Sequence, residues 1–434
     1  MRVKMNYGRN GLYIDFPESW DITVIEKTAM PVPPDPAKAV LEALAGPVGS
    51  GTLVAEAAGR RSACILICDI TRPVPNGVIL TPILQELLKA GLKKEDITIL
   101  VATGLHRPNE GEEMRELVGS DWVMENFKVV NHFARNDADH VSLGVTGRGT
   151  PIKIDRRFVE ADLKIVTGLV EPHFMAGYSG GRKVIAPGIA HKDTITTFHN
   201  ASFMEHANCA NCVLEGNILH QEQLEVLHKI GRVLAVNTVI DDKRNMSFVN
   251  FGEIEASHLE AVAYMKRYAE IATDRKFKTV ITSGGGYPLD KTYYQTVKGM
   301  VGAMDLLERG GDIIIFSECS EGMGSAEYVE AQRLLVKHGV LGFRDLILKK
   351  SRAAIDEWQT EMQLKPMEIG NIHLFSALSK ENLGLTGVHC SENGAVPLDY
   401  IRSIIGVPGA AIAVIPEGPY VIPRCGMASI KSVR

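Results

Sequence analysis

The chain has 434 residues, of which 45% are hydrophobic and 23% are charged, and its formal net charge is −5 at pH 7. This length fits two domains of ordinary size, and the composition excludes a disordered or fibrous protein. Acidic and basic residues are interspersed, so the sequence suggests neither a nucleic-acid partner nor an anionic membrane partner.

From this sequence we expect neither a secretory signal nor a disulfide framework. The N-terminus has no apolar signal core, and no stretch approaches the roughly 20 apolar residues of a membrane helix, so we expect a cytoplasmic protein. The seven cysteines are scattered and odd in number, unlike a disulfide framework. Cys209 and Cys212 form a Cys-x-x-Cys near His206 and His220, but a second ligand pair at zinc spacing is missing. Ordinary thiols are therefore favoured over a metal or redox site.

The first strong structural pattern is a β–α–β unit. Ala63–Cys68 is a short, unbroken apolar run typical of a buried strand, and Thr81–Leu92 has helical spacing. Ile97–Thr103 is a second apolar run of strand length. These two strands should be parallel and joined by a right-handed crossover.

The same alternation continues to the end of the chain. The further predicted elements are the strands Leu163–Gly168 and Arg232–Ile240, the helix His258–Ala272, the strand Lys278–Gly286, the helix Gln295–Arg309, and the strands Asp312–Glu318 and Ala410–Pro416. We predict an α/β protein with two α/β domains, largely parallel sheets and an active-site cleft between the domains. The N-terminal domain would span residues 1–274 and be rejoined by residues 408–434, and the C-terminal domain would span residues 275–407.

Polar residues follow three of these strands directly. They lie in residues 69–73 (Asp-Ile-Thr-Arg-Pro), 103–108 (Thr-Gly-Leu-His-Arg-Pro) and 171–173 (Glu-Pro-His). Ligands bind beyond the carboxyl ends of parallel strands, so these segments should converge on one sheet edge. Each segment alone is compatible with a cap, a loop arginine or a solvated histidine, but three together favour a functional site.

Residues 171–200 form the densest polar segment. Gly177, Gly180 and Gly181 permit positive φ or a close approach of the backbone to a ligand, and Lys183 follows them. The segment does not meet the Walker A pattern. Taken alone, Lys183 could be a surface lysine, and His199 could be a histidine that interacts with carbonyl groups at a helix end.

The predicted C-terminal domain contains a second glycine-rich turn before a helix, at residues 284–300. Such a turn suits an anion, and Gln295 and Lys298 lie three residues apart on one helix face, a reasonable arrangement for holding a carboxylate. A solvated polar face is the ordinary alternative. Trp358 would most often be a packing residue.

Taken together, the motifs resemble the nickel-dependent lactate racemase family. The resemblance is carried by Asp-x-Thr-Arg-Pro from residue 69, Ala-Thr-Gly-x-His-Arg-Pro from residue 102, Glu-Pro-His-x-x-Ala-Gly-x-Ser-Gly-Gly-Arg-Lys ending at Lys183, His199, Tyr-Gln-x-x-Lys from residue 294, and Trp358. These motifs occur in the order and spacing of the family and extend over most of the chain. Asn109–Glu113 and Phe174–Met175 depart from the pattern, which leaves the identity of the substrate open.

The resemblance implies a function and a set of site residues. It implies a 2-hydroxyacid racemase or epimerase, an isomerase, which uses a nickel-pincer nucleotide attached covalently to Lys183. His199 would be the nickel ligand supplied by the protein, and His106 and His173 the two acid/base residues. Asp69, Thr71, Arg72, Gly180, Gly181, Tyr294 and Trp358 would contact the cofactor, and Arg72, Tyr294, Gln295 and Lys298 would bind the substrate.

This chemistry explains the residue types. One histidine is needed for the hydroxyl of each enantiomer, and an ordinary imidazole pKa of about 6.5 lets each ring act as acid or base near neutrality. The expected partners are a small 2-hydroxyacid and the proteins that make and insert the cofactor.

Two alternatives remain open. A nicotinamide-dependent dehydrogenase should show Gly-x-Gly-x-x-Gly after an early strand, which Gly49-Ser50-Gly51 does not continue. A non-catalytic anion-binding protein would explain the cleft but not the histidines and the lysine.

Overall fold

The structure, a computed structural model, describes residues 1–392, 394–406 and 409–426. Its contacts divide the chain into two compact units. The N-terminal unit contains Ala29–His199 and His206–Arg267, and the C-terminal unit contains Met1–Thr28, Asn200–Glu205 and the residues from Tyr268 onward. Within the described ranges, no helix is both long and apolar enough to cross a membrane.

A six-stranded sheet forms the centre of the N-terminal unit. In spatial order its strands are Met246–Glu253, Leu234–Ile240, Leu163–Leu169, Ala63–Cys68, Ile97–Ala102 and Lys128–Asn131. Only the pair formed by Met246–Glu253 and Leu234–Ile240 is antiparallel among these strands. Every residue of Ala63–Cys68 is buried, as the unbroken apolar run predicts for a strand covered on both faces.

Helices and two small sheets complete the N-terminal unit. The helices are Pro36–Ala45, Leu53–Ala57, Asn76–Lys89, Gly111–Val118, Asp121–Asn126, Arg156–Val159, Arg182–Ile185, Lys192–Phe198, Ile218–Ile230 and Ile254–Ala269, and the small sheets pair His140–Val145 with Pro151–Asp155 and Pro172–His173 with Gly177–Tyr178. The first crossover helix begins five residues earlier than predicted, at Asn76, because it tolerates Pro82 in its interior.

The C-terminal unit is built on a second six-stranded sheet, which is parallel throughout its described pairs. In spatial order its strands are His389–Cys390, Asn371–Phe375, Leu307–Phe316, Phe277–Ser283, Ile412–Ile415 and Ile22–Val24. Other elements of this unit are the helices Ala201–Met204, Tyr293–Ala303, Ala326–Ile347, Glu357–Met367, Lys380–Leu383 and Pro397–Ile405, the hairpin of Arg2–Met5 and Leu12–Asp15, and the parallel pair of Glu270–Thr273 and Ile422–Cys425.

Both faces of this sheet are covered by apolar side chains. Val280 and Ile313 belong to one hydrophobic cluster, which includes Tyr293 and Met300 from the helix Tyr293–Ala303. Their sequence neighbours Ile281 and Ile314 belong to a second cluster on the other face, with Met5 and Phe16 from the N-terminal segment. Successive strand residues alternate between faces, so each strand contributes to two cores.

The predicted α/β class with largely parallel sheets is confirmed, but the grouping of the chain termini differs from the prediction. Ile412–Ile415 pairs with Phe277–Ser283 and with Ile22–Val24, so this late strand and the first 28 residues belong to the C-terminal unit. The sequence analysis instead returned residues 408–434 to the N-terminal domain. Main-chain hydrogen bonds of the parallel sheet decide the placement of both segments. Residues 407–408 and 427–434 lie outside the described residues.

Candidate functional site

The candidate site of the N-terminal unit follows its three central strands. Asp69 comes directly after Ala63–Cys68, His106 follows Ile97–Ala102, and Glu171 follows Leu163–Leu169. After Ala63–Cys68 the chain forms Ile97–Ala102 on one side of this strand. Leu163–Leu169 later pairs with its other side. The strand order therefore reverses at this point, which is where open α/β sheets bind ligands.

Asp69 and His106 form a hydrogen-bonded pair at this edge. His106 Nδ1 lies 2.6 Å from Asp69 Oδ2, and Thr71 Oγ1 donates to Asp69 Oδ1 at 2.6 Å. Burial opposes ionisation of Asp69, but His106, Thr71 and Arg72 outweigh it and hold the pKa of the carboxyl below its ordinary value. An ionised carboxylate only accepts hydrogen bonds, so Nδ1 of His106 is the donor, and Nε2 carries the lone pair of the neutral ring.

Arg72 forms an ion pair with Glu171, a residue that the sequence analysis did not assign to the site. Both side chains are about four-fifths buried, with exposed fractions of 19% and 18%. Glu171 could have been proposed from the Glu-Pro-His motif, because it also follows a central strand. Glu171 therefore already balances part of the positive charge that Arg72 would present to an anionic ligand.

His173 is held differently from His106. It is 8% exposed, and its Nδ1 accepts hydrogen bonds from the backbone N–H groups of Met175 and Ala176, at 3.3 and 3.1 Å. The neutral ring therefore carries its proton on Nε2. His106 and His173 thus hold opposite tautomers, the first with an acceptor and the second with a donor at Nε2.

The glycine turn before Lys183 has a packing explanation. Gly180 has φ +77°, and a Cβ there would lie 2.8 Å from Val170 Cγ2. Gly181 has φ +49°, and a Cβ there would lie 2.9 Å from the His258 ring. Both positions exclude larger residues on conformational and steric grounds alone. Lys183 itself is half-buried between buried neighbours, in the short helix Arg182–Ile185.

His199 ends the helix Lys192–Phe198 and is 6% exposed. Its Nδ1 donates to the carbonyl oxygen of Ile195 at 2.9 Å, so Nε2 holds the lone pair of the neutral ring. Burial, together with the charge of Lys183, lowers the pKa of His199 to about 3. The ring is therefore neutral at physiological pH, the form in which histidine binds a metal.

The C-terminal unit contains the other predicted site residues. Tyr294, Gln295 and Lys298 lie on the helix Tyr293–Ala303, and the Trp358 indole N–H donates to the Tyr294 hydroxyl at 3.2 Å. The buried Oε1 of Gln295 has no hydrogen-bond partner among the described residues. A buried acceptor without a protein partner needs a donor, which a bound ligand can supply.

Comparison with known proteins identifies the family. The model of the lactate racemase N-terminal domain matches residues 7–211, and that of the C-terminal domain matches residues 272–422. A lactate racemase from Thermoanaerobacterium thermosaccharolyticum is 35% identical over 324 residues, which cover 74% of this chain and 75% of the relative. The chain belongs to the lactate racemase family. The predicted resemblance is confirmed, and the chain is an isomerase of this family.

Further relatives agree with this assignment. A lactate racemase from Lactiplantibacillus plantarum is 35% identical over 286 residues, 66% of each chain. The lactate racemase apoprotein structure from Thermoanaerobacterium thermosaccharolyticum has a TM-score of 0.89, at 31% identity over 98% of this chain and 100% of that one. A Thermotoga maritima crystal structure, at 17% identity over 90% of this chain and 99% of that one, has a TM-score of 0.69 and shares the fold.

Proposed function

We propose that this member of the lactate racemase family inverts the C2 carbon of a 2-hydroxyacid, with lactate as the reference substrate. The reaction would use a nickel-pincer nucleotide attached covalently to Lys183. The observation that carries the proposal is the state of His199. The ring is buried and neutral, its Nδ1 is occupied by the carbonyl oxygen of Ile195, and the charge of Lys183 acts on this same ring.

The residues present fit such a group. Among the described residues, no three His, Cys, Asp or Glu side chains are arranged to hold a metal ion by themselves. A nickel ion held through His199 would therefore need donors from a group attached nearby, and Lys183 is close enough for its charge to act on the His199 ring. When bound, the nucleotide supplies reversible acceptance of the hydrogen on C2 as hydride.

The protein would supply the proton transfers. His106 accepts the substrate hydroxyl proton at Nε2, and the ionised Asp69 stabilises the imidazolium that results. His173 presents its Nε2–H to the oxygen of a bound substrate, because backbone N–H groups occupy its Nδ1. The two neutral rings differ at Nε2, and each histidine would act on the hydroxyl group of one enantiomer.

The remaining site residues would bind and orient. We propose that Lys298 holds the substrate carboxylate. Gln295, whose buried amide oxygen has no partner among the described residues, would accept a hydrogen bond from a hydroxyl group of the bound ligand. Arg72 would add positive charge for the substrate and the cofactor. Asp69, Thr71, Gly180, Gly181, Tyr294 and Trp358 would contact the cofactor or keep its neighbours in position. Proteins that synthesise and insert the nucleotide would be the expected partners.

The test compares Lys183→Ala with Lys192→Ala, a control at an exposed lysine nine residues away. Each variant is produced together with the pincer-nucleotide biosynthesis proteins. Intact mass and peptide mapping report the adduct, and chiral chromatography reports racemisation of L- and D-lactate and of other 2-hydroxyacids. We expect Lys183→Ala to lose the adduct and the activity together, while Lys192→Ala retains both. Racemisation by Lys183→Ala at the wild-type rate would contradict the proposal.

A second pair of variants separates cofactor binding from proton transfer. His106→Asn and His173→Asn should keep the adduct and lose about 100-fold or more in turnover, the range of general acid–base catalysis. The control is His228→Asn, whose exposed ring pairs with Glu255. Loss of the adduct in either site variant would show that the histidine holds the cofactor instead.

A further inference from the structure

A small cavity lies beside the glycine turn of the N-terminal unit, on the side of Arg182. It has a volume of about 30 Å³, and its lining comes from the helices Arg182–Ile185, Ile218–Ile230 and Ile254–Ala269. The polar lining consists of Arg182, His220, His258 and Glu255, and leucine and isoleucine side chains supply the rest. None of these residues belongs to the site proposed above.

Arg182 brings a buried charge to this cavity. Arg182 is 2% exposed. Its guanidinium donates to the carbonyl oxygens of Tyr178 and Ala176, at 3.0 and 2.8 Å. Its Nε is buried without a hydrogen-bond partner, and no carboxylate of the described residues forms an ion pair with it. Burial of a guanidinium is costly unless an anion balances its charge.

His258 adds a donor, and neither histidine adds negative charge. His258 Nε2 lies 2.7 Å from the carbonyl oxygen of Ser179, so this nitrogen carries a proton. The same nitrogen lies 3.2 Å from Arg182 Nη1, which sets two donors against each other. His220 Nδ1 is buried without a partner, and burial and the charge of Arg182 hold the pKa of this ring at about 3.

The one carboxylate in the lining is already engaged. Glu255 Oε1 lies 2.7 Å from Nε2 of His228 in an exposed pair, and its side chain is 38% exposed. It therefore lies at the solvent side of the cavity rather than against the guanidinium. The interior presents the positive charge of Arg182 and an unsatisfied hydrogen-bond donor at its Nε.

We propose that this cavity is a binding site for a small monovalent anion of halide size, with chloride as the physiological ligand. A volume of about 30 Å³ holds one such ion or one or two water molecules. The apolar lining suits a weakly hydrated ion. Arg182 would supply the charge through Nε, and His220 a donor through Nδ1.

The anion would also act on the loop that carries Lys183. Arg182 holds the carbonyl oxygens of Ala176 and Tyr178, which belong to the segment between His173 and Lys183. An ion that balances Arg182 would fix the guanidinium, and through it this segment. The site would therefore contribute to the stability of the protein whether or not the cofactor is attached.

The first measurement is a bromide soak of crystals of the full chain, with anomalous scattering used to locate the ion. The second is the Tm of the unloaded protein in chloride and in gluconate at equal ionic strength. We expect a bromide peak within hydrogen-bond distance of Arg182, and a Tm higher by roughly 1.5 to 3 °C at an anion concentration tenfold above Kd. Because neither readout uses activity, failure here leaves the proposed function untouched.

Variants make the test specific. Arg182→Gln removes the charge, and His220→Phe fills the cavity while leaving Arg182 in place, so one variant remains if the other does not fold. Both should lose the difference between chloride and gluconate, whereas Arg60→Gln, at an exposed arginine, should keep it. A bromide peak without chloride-dependent stabilisation would mean binding at crystal concentration only and would overturn the proposal. Equal Tm values in the two salts, or stabilisation by acetate alone, would also overturn it.

Discussion

Asp69→Asn tests how much the buried carboxylate contributes to the chemistry at His106. The substitution keeps the shape of the side chain and removes its charge. Asp69 Oδ2 lies 2.6 Å from His106 Nδ1, so the charge centres of an ionised pair are about 4 Å apart. At an effective dielectric constant near 20, their attraction is about 4 kcal/mol. The His106 side chain is 46% exposed, and solvent screening reduces this to roughly 2 kcal/mol.

A loss of that size in the transition state corresponds to a decrease in kcat of about 30-fold. We expect KM and cofactor content to change little, because Asp69 is proposed to act through His106. The assay is chiral chromatography in both directions on protein matched for adduct by intact mass. Thr71→Val is the comparison variant: it removes one hydrogen bond to Asp69 but keeps the charge, so at matched adduct content its loss of kcat should be smaller. A kcat within twofold of wild type in Asp69→Asn would refute the assigned role of Asp69.

Two further predictions concern stability against pH. Burial lowers the pKa values of His140 and His191, so the unfolded chain binds more protons, and stability should fall as the pH drops below about 6.5. Between pH 7 and pH 5 the urea midpoint of the wild type should fall, and His140→Gln should reduce this fall. His228→Gln, a control at an exposed histidine, should not reduce it. An equal fall in both variants would show that His140 does not cause the pH dependence. Burial, with the charge of Glu205 added, raises the pKa of Glu361 to about 9, so its folded form holds a proton that the unfolded form releases above about 4.5. The stability of the wild type should therefore fall more steeply from pH 6 to pH 9 than that of Glu361→Gln. Glu330→Gln, a control at an exposed glutamate, should behave like the wild type. Parallel stability curves for the wild type and Glu361→Gln would refute the prediction.

Several local features of this protein could be predicted from the sequence. The strand Ala63–Cys68 has the predicted bounds, because a short, unbroken apolar run between polar segments is most stable when it is buried inside a parallel sheet. The polar residues after the central strands could also be predicted to share an edge, since parallel strands align their carboxyl ends. The contact between Asp69 and His106 is the direct result of that rule.

Other features depend on partners that are distant in sequence. Arg72 and Glu171 are 99 positions apart, and no local pattern specifies that their charges balance each other. The opposite tautomers of His106 and His173 are equally hidden, because they depend on which acceptor or donor each Nδ1 meets. The sequence did not predict that Arg182, which precedes the predicted cofactor lysine, is buried beside a cavity.

The sequence by itself determined the α/β class, most strands of the two six-stranded sheets and the motifs that identify the family. Only the tertiary structure decided which sheet the terminal segments join. Ile22–Val24 and Ile412–Ile415 are separated by almost the whole chain, yet they pair as neighbouring strands of one sheet. Asn200–Glu205 joins the C-terminal unit through hydrogen bonds from Asn200 to Ser351 and from Lys365 to Met204. Local periodicity sets how a segment folds, but its partner is chosen by hydrogen bonds and packing that form only when distant segments meet.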